Sequence, residues 1–139
     1  MSNALYRVAA AVMLTVGLAP AAEAARVAAP GADLGRAEYA AQCAQCHGPQ
    51  GRGDGPQARE MKLPVPDLGT LAQRAGDRFP AERVRRVIDG RDDIKGHAGR
   101  QMPLWGQRYR RHAGGSAAGE AEVQRRIEAL VEHLRTLQR

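Results

Sequence analysis

The pentapeptide Cys43-Ala44-Gln45-Cys46-His47 constrains this chain of 139 residues more than any other feature. It contains both of the cysteines in the sequence, separated by two residues. A disulfide between them would close only a very small ring, and such close pairs in oxidising compartments usually belong to redox-active thiols or to attachment sites. The histidine that follows the second cysteine distinguishes between these two uses.

A Cys-x-x-Cys-His sequence is recognised as an attachment motif for c-type haem. At the end of a helix, a spacing of three directs both sulfurs the same way, so they can reach the two vinyl groups on one edge of a porphyrin. His47 then offers an imidazole nitrogen to the iron. The motif predicts one covalently bound haem c, held by Cys43, Cys46 and His47.

Two other sites fit this motif less well. A thioredoxin-type thiol pair needs a preceding strand and an α/β context, and the sequence has no strand-like alternation long enough to build a sheet. A zinc site needs further Cys or His residues at ligand spacing, but His97, His112 and His133 are widely dispersed. Haem attachment is therefore the favoured interpretation.

The N-terminal segment has the pattern of a signal peptide. Arg7 precedes an apolar run from Val8 to Ala19, and Ala22-Glu23-Ala24 supplies the small residues of a cleavage site. The apolar run is too short to span a bilayer comfortably, so an uncleaved membrane anchor is the less favoured alternative. The predicted organisation is a signal peptide at 1–24, a flexible lead-in at 25–32 and one domain at 33–139. We expect a soluble, periplasmic monomer that meets a membrane only through its partners or an uncleaved signal.

Apolar residues at spacings of three and four predict an all-α domain with four to five helices and long loops. The first helix is expected to start at Asp33 as its N-cap and to end near Cys46. The last helix, at 120–138, carries the clearest apolar stripe in the chain, made of Val123, Ile127, Leu130, Val131, Leu134 and Leu137.

Between these two helices the sequence predicts short helices and long polar loops. The short helices are expected at 58–62, at 70–74 with Thr70 as cap, and at 80–88. Exposed or polar loops are expected at 89–101 and 107–119. A loop as long as 48–69 is uncommon in a small domain unless it wraps something, which favours a core filled by a cofactor.

A second axial ligand would decide whether the iron carries electrons or acts on a bound molecule. The candidates are Met61, Met102, His97, His112 and His133. Met102 has enough preceding chain to reach the opposite face of the ring from His47, and it lies in a loop flanked by Gly and Pro. The residues alone leave open whether Met102 binds iron or fills a gap in the core. His97 could compete for the iron, although its surroundings favour an exposed loop imidazole.

The chain resembles the class I cytochromes c over nearly all of the sequence after residue 24. The resemblance rests on four segments in the family's order, namely Cys43 to Gly48, Pro66-Asp67-Leu68, Arg100 to Gly106 and the closing apolar helix. It departs from the family pattern in the polar insert at 107–119 and in the Gly-rich stretch after the motif.

This resemblance implies a cytochrome c-like fold wrapped around one covalent haem, with His47 and Met102 as axial ligands. It also implies that the Pro66 carbonyl accepts the other imidazole proton of His47, as outer partners of metal ligands do. The first and last helices would cross near Gly35, Tyr39 and Leu134.

The formal charge is +6, and almost all of the positive charge is arginine. The basic residues are scattered among acids without a nucleic-acid-binding motif, so acidic redox proteins such as a reductase, an oxidase or a dehydrogenase are the expected partners, and nucleic acid is not. The predicted function is one-electron transfer in a periplasmic respiratory chain, without enzymatic activity. Two alternatives stay open: an electron-transfer subunit of a larger oxidoreductase complex, and a haem enzyme or gas sensor with an open sixth position.

Overall fold

The computed structural model describes residues 30–92 and 102–139. The signal segment 1–24, most of the lead-in, and His97, Arg100 and Gln101 lie outside these residues. The two described segments contain seven α-helices and a short 3-10 turn, with no strand, so the all-α prediction is confirmed. In order these are α1 (Pro30–Gln42), α2 (Ala44–His47), α3 (Pro56–Glu60), the 3-10 turn (Leu68–Thr70), α4 (Leu71–Arg74), α5 (Ala81–Asp89), α6 (Trp105–His112) and α7 (Ala117–Thr136). The helices outnumber the predicted four to five because several are only one turn long and α6 was not foreseen.

The first and last long helices, α1 and α7, form the main interface of the fold. They approach so closely at Gly35 that a Cβ atom there would overlap the backbone carbonyl of Ala129. One turn further on, the rings of Tyr39 and His133 pack with their centroids 4.9 Å apart. The predicted crossing near Gly35 and Tyr39 is confirmed. Asp33, predicted as the N-cap, instead lies inside the first turn of α1.

The core is built on the apolar stripe of α7. Five of its six predicted members are buried, and Leu137 is partly buried at the end of the stripe. The other helices add Tyr39 from α1, Val84 and Ile88 from α5, and Trp105 and Tyr109 from α6. These side chains leave a cavity beside them, which α2 and the following loop complete.

The helix predicted to run from residue 33 to about Cys46 is interrupted at Cys43. Helix α1 ends at Gln42, and α2 begins at Ala44 and reaches His47. Hydrogen bonds still span the junction, because the Cys43 amide donates to the Tyr39 carbonyl at 2.9 Å and the His47 amide donates to the Cys43 carbonyl at 2.9 Å. The attachment motif therefore sits at a slight break between two helices.

Helix α6 corrects the prediction that 107–119 is only a polar insert. Its two apolar side chains, Trp105 and Tyr109, are one turn apart and both buried. Arg110 pairs with Asp89 at 2.7 Å and with Glu120 at 2.9 Å, which ties α6 to α5 and α7. Asp89 is consequently buried, although the sequence placed it at the start of an exposed loop.

Thr70 occupies the predicted N-cap position of α4, but its side chain makes no capping hydrogen bond there. The 3-10 turn that precedes α4 is capped by Asp67. The Asp67 carboxylate accepts a hydrogen bond from the Gly69 amide at 2.8 Å, whereas the Thr70 hydroxyl donates to the Asp67 carbonyl at 3.2 Å. An acidic side chain is a common N-cap, because its oxygen satisfies an amide that has no partner within the helix.

Gln138 joins the end of α7 to this region. Its side-chain oxygen accepts from the Ala72 amide at 2.9 Å, and its nitrogen donates to the carbonyls of Leu68 at 2.9 Å and Leu134 at 2.7 Å. Replacing Gln138 with Ala should lower the free energy of unfolding by roughly 1–3 kcal/mol, because partly buried backbone groups lose their partners. Denaturant unfolding of the haem-loaded protein measures this.

The matched control for Gln138 is Gln107→Ala on α6. Gln107 is exposed and makes no side-chain hydrogen bond within the described residues. Its substitution should change stability by less than about 0.5 kcal/mol. Equal losses in the two variants would contradict the assigned role of Gln138.

Candidate haem-binding site

A cavity of about 360 Å³ lies between α2, the loop at 63–68, α5 and the segment at 102–105. Its volume is in the range of small-molecule and cofactor sites. Most of its wall is apolar, including Leu63, Val65, Leu68, Val84, Ile88 and Leu134. Such a wall can enclose a large flat apolar group and keep water away from it.

The three residues of the attachment motif line this cavity together. Cys43 and Cys46 are partly buried and not joined to each other, and His47 is buried with 8% of its surface exposed. The Cys46 thiol donates to the side-chain oxygen of Gln57 at 3.3 Å. The break at Cys43 and the short helix α2 thus present two sulfurs and an imidazole to one space.

The protonation of Cys43 argues against a redox-active thiol pair. Burial raises the pKa of its thiol to about 12, and the Glu38 carboxylate and Cys46 act in the same direction. Redox-active cysteines have a lowered pKa, because the thiolate is the reactive form. A neutral thiol at the wall of an apolar cavity fits attachment to a hydrophobic cofactor better than disulfide exchange.

Met102 lines the same cavity, next to Pro103 and Trp105. It is partly buried and packs against the core. The other described candidates for a second axial ligand are Met61, His112 and His133. Met61 is 56% exposed, and His133 packs on Tyr39. His112 is exposed, and its Nδ1 atom lies 2.8 Å from the Arg108 carbonyl. None of these three lines the cavity, whereas His47 and Met102 both do.

The Gly-rich loop after the motif brings the 63–68 segment against α2. The Gly53 amide donates to the His47 carbonyl at 2.8 Å, and the Leu68 amide donates to the Gly51 carbonyl at 2.6 Å. Gly53 has a positive φ of 77°, and a Cβ atom there would overlap the Val65 carbonyl. Pro66 is thereby placed on the cavity wall. Its hydrogen bond with the His47 imidazole stays a prediction.

Several polar residues of the site were not foreseen from the sequence. Arg74, Arg83 and Gln42 line the cavity. Arg83 precedes Val87 by one helical turn, so the spacing that defines the apolar face of α5 could have revealed it. Arg74 and Gln42 carry no comparable signal.

A polar cluster made of the buried Glu38 and Tyr109 and the partly exposed Arg126 also adjoins the site. The Glu38 carboxylate accepts hydrogen bonds from the Tyr109 hydroxyl at 2.9 Å and from Arg126 at 2.8 Å. Burial, followed by the bond to Glu38, raises the pKa of Tyr109. The Tyr109 ring contacts the Trp105 ring, with the two centroids 6.3 Å apart. The cluster fixes the position of α6, and with it Trp105, relative to α1 and α7.

His133 on α7 should make stability depend on pH. Burial lowers the pKa of its imidazole, and the positive charge of Arg36 adds to this effect. The unfolded chain therefore binds a proton at His133 more readily than the folded protein does. The contribution of His133 to the free energy of unfolding is complete above about pH 6.5, the pKa of the unfolded state, and it is lost as the pH falls toward the lower pKa of the folded state. Unfolding of wild type and His133→Gln should therefore show a shallower fall in stability from pH 7 to pH 5 for the variant. Parallel pH profiles would contradict this expectation.

The residues of the cavity fit a covalent haem, since two thiols and an imidazole share an apolar wall with a thioether. No group of three or more metal-ligating His, Cys, Asp or Glu side chains exists within residues 30–92 and 102–139, as a zinc site would need. In the same two segments, no helix is long and apolar enough to cross a membrane.

Comparison with known proteins identifies the family. The family model for cytochrome c matches residues 32–138, which is most of the chain. No curated protein and no solved structure matches the sequence. The chain belongs to the cytochrome c family, whose members bind a covalent haem c with iron and generally transfer electrons.

Proposed function

We propose that this protein is a periplasmic one-electron carrier of a respiratory chain, with Cys43 and Cys46 as haem attachment residues and His47 and Met102 as axial ligands. The observation that carries the proposal is that all four side chains line one cavity, while the other described candidates for the sixth ligand lie elsewhere. The pattern of residues 1–24 supports export.

The residues of the chain would hold the cofactor and keep its surroundings fixed. Haem iron, when bound, takes up and releases a single electron. Cys43 and Cys46 would prevent loss of the group into a dilute exported environment, and the α1–α2 junction would set the position of His47. The cavity wall includes Leu68, Trp105 and Leu134, which would exclude water from the haem. Exclusion of water favours the reduced state of the iron, and so does a Met ligand in place of a second His.

The partners in this proposal are proteins with acidic surfaces, such as a reductase, an oxidase or a dehydrogenase. The formal charge of +6 supports it, since complementary charge raises the rate of encounter and orients the two proteins. Electron transfer with a true partner should slow strongly as salt is added, because salt screens exposed charges.

Absorption spectra of the haem-loaded protein, oxidised and reduced, with and without carbon monoxide, test the proposal. We expect a far-red sulfur-to-iron band when oxidised and resistance to carbon monoxide when reduced. Ready binding of carbon monoxide would overturn the ligand assignment in favour of a haem enzyme or gas sensor. Cell fractionation tests the location. Copurification with a larger oxidoreductase would show that the protein is a subunit of that complex and not a free carrier.

A further inference from the structure

A second cavity, of about 550 Å³, lies along α6. It is formed by α6 itself, by Gln42 at the end of α1, and by Glu122, Val123 and Arg126 on α7. We refer to it as the α6 groove. Five of its ten lining residues belong to the insert at 107–119, and Cys43, Cys46, His47 and Met102 all lie outside it.

The α6 groove and the haem cavity share part of their walls. Gln42 and Trp105 line both. The guanidinium carbon of Arg108 lies 5.1 Å from the centroid of the Trp105 ring, a distance at which cation and ring attract each other. A molecule seated in the groove could therefore contact Trp105, a residue that also lines the haem cavity.

The charges of the groove are unbalanced. Arg108 and Arg111 are exposed, and neither has a carboxylate partner within residues 30–92 and 102–139. Their neighbour Arg110 pairs with both Asp89 and Glu120. Positive charge is thus left over at a concave surface on α6.

Glu122, the carboxylate that lines the groove, does not neutralise Arg108 and Arg111. Glu122 pairs with Arg126 at 2.8 Å and with Arg125 at 2.7 Å. Arg126 in turn also pairs with Glu38. Because these groups already neutralise one another, Arg108 and Arg111 determine the charge that an approaching molecule meets.

We infer that the α6 groove is the docking surface for an acidic redox protein, whose carboxylates pair with Arg108 and Arg111 above Trp105. This inference rests on the proposed function, since it names the surface through which that electron transfer would occur. A concave site with two guanidiniums that lack a carboxylate partner favours carboxylates, which arginine binds through paired hydrogen bonds.

Two further basic residues, in the segment after the motif, could also attract an acidic partner. Arg52 and Lys62 are exposed there, and they also have no carboxylate partner in the described part of the chain. They line neither the haem cavity nor the α6 groove. A double substitution at these two positions removes the same charge as one at Arg108 and Arg111, and so provides a matched control.

The first test measures oxidation of the reduced, haem-loaded protein by hexacyanoferrate(III), an anionic probe. One electron passes to the probe, which becomes hexacyanoferrate(II), and no bond forms or breaks. At low ionic strength, Arg108→Gln/Arg111→Gln should lower the second-order rate constant at least about threefold, because local charge steers the anion. Arg52→Gln/Lys62→Gln should lower it less, and Arg108→Lys/Arg111→Lys should largely preserve the rate.

The second test locates the binding of carboxylates by NMR with a polyglutamate peptide. The peptide should shift the Trp105 indole signal in the wild type, and the Arg108→Gln/Arg111→Gln variant should lose most of that shift. Equal rate losses in the two Gln variants, or peptide-induced shifts at Arg52 and Lys62 with none at Trp105, would overturn the inference. These results would leave the proposed carrier function intact, whereas failure of the wild type to undergo reversible one-electron oxidation would overturn both.

Discussion

Replacing Met102 with Ala is expected to abolish the far-red sulfur-to-iron band of the oxidised protein and to let the reduced protein bind carbon monoxide. The thioether lines the cavity that also contains His47, and no other described Met or His candidate does. Loss of the sulfur should also lower the reduction potential by on the order of 0.1 V or more, because a Met ligand favours the reduced state. Visible spectroscopy and a potentiometric titration measure these changes.

Met61→Ala is the matched control for this experiment. Met61 is the exposed methionine of α3's C-cap and lies outside the cavity, so its substitution should leave both the band and the potential unchanged. Circular dichroism establishes that each variant is folded. An intact band in folded Met102→Ala would show that another residue binds the iron, and His97 would then be the first candidate to examine.

Replacing Gly35 with Ala is expected to destabilise the protein by about 3 kcal/mol. The new methyl group would overlap the Ala129 carbonyl, and a backbone atom inside the α1–α7 crossing cannot move without separating the helices. This loss should outweigh the greater intrinsic preference of Ala for helices, which is worth roughly 1 kcal/mol. Denaturant unfolding of the haem-loaded protein provides the measurement.

Gly31→Ala serves as the control on the same helix. A Cβ atom at Gly31 meets nothing within 4 Å, so only the helix preference remains and the variant should be unchanged or slightly more stable. If Gly35→Ala matched Gly31→Ala in stability, the close crossing would not have the energetic role assigned to it.

The features that sequence patterns predicted well depend on neighbouring residues. The haem motif is contiguous, and the stripe of α7 repeats from Val123 to Leu137, so each is visible in a short window. The all-α class followed from the same kind of pattern, and the covalent haem c followed from the motif. The residues alone left the role of Met102 open, because nothing local says which cavity a methionine will line.

The features that were missed depend on residues far apart in the sequence. Helix α6 is held by the bond from Tyr109 to Glu38 and by the pairing of Arg110 with Asp89. Glu38 and Arg126 are 88 positions apart, so no local pattern shows that they meet. The break at Cys43 likewise has no local signal, because no Gly or Pro interrupts the sequence there.

The α1–α7 interface also determines how the chain can fold. Its partners come from distant parts of the sequence, so the entropy of closing a long loop is lost before the main packing energy is gained. The haem cavity also cannot form before these two helices meet, since its wall combines α1–α2 residues with Leu130 and Leu134 of α7. Folding of this domain should therefore be a single cooperative transition, in which the site forms together with the contact between its first and last helices.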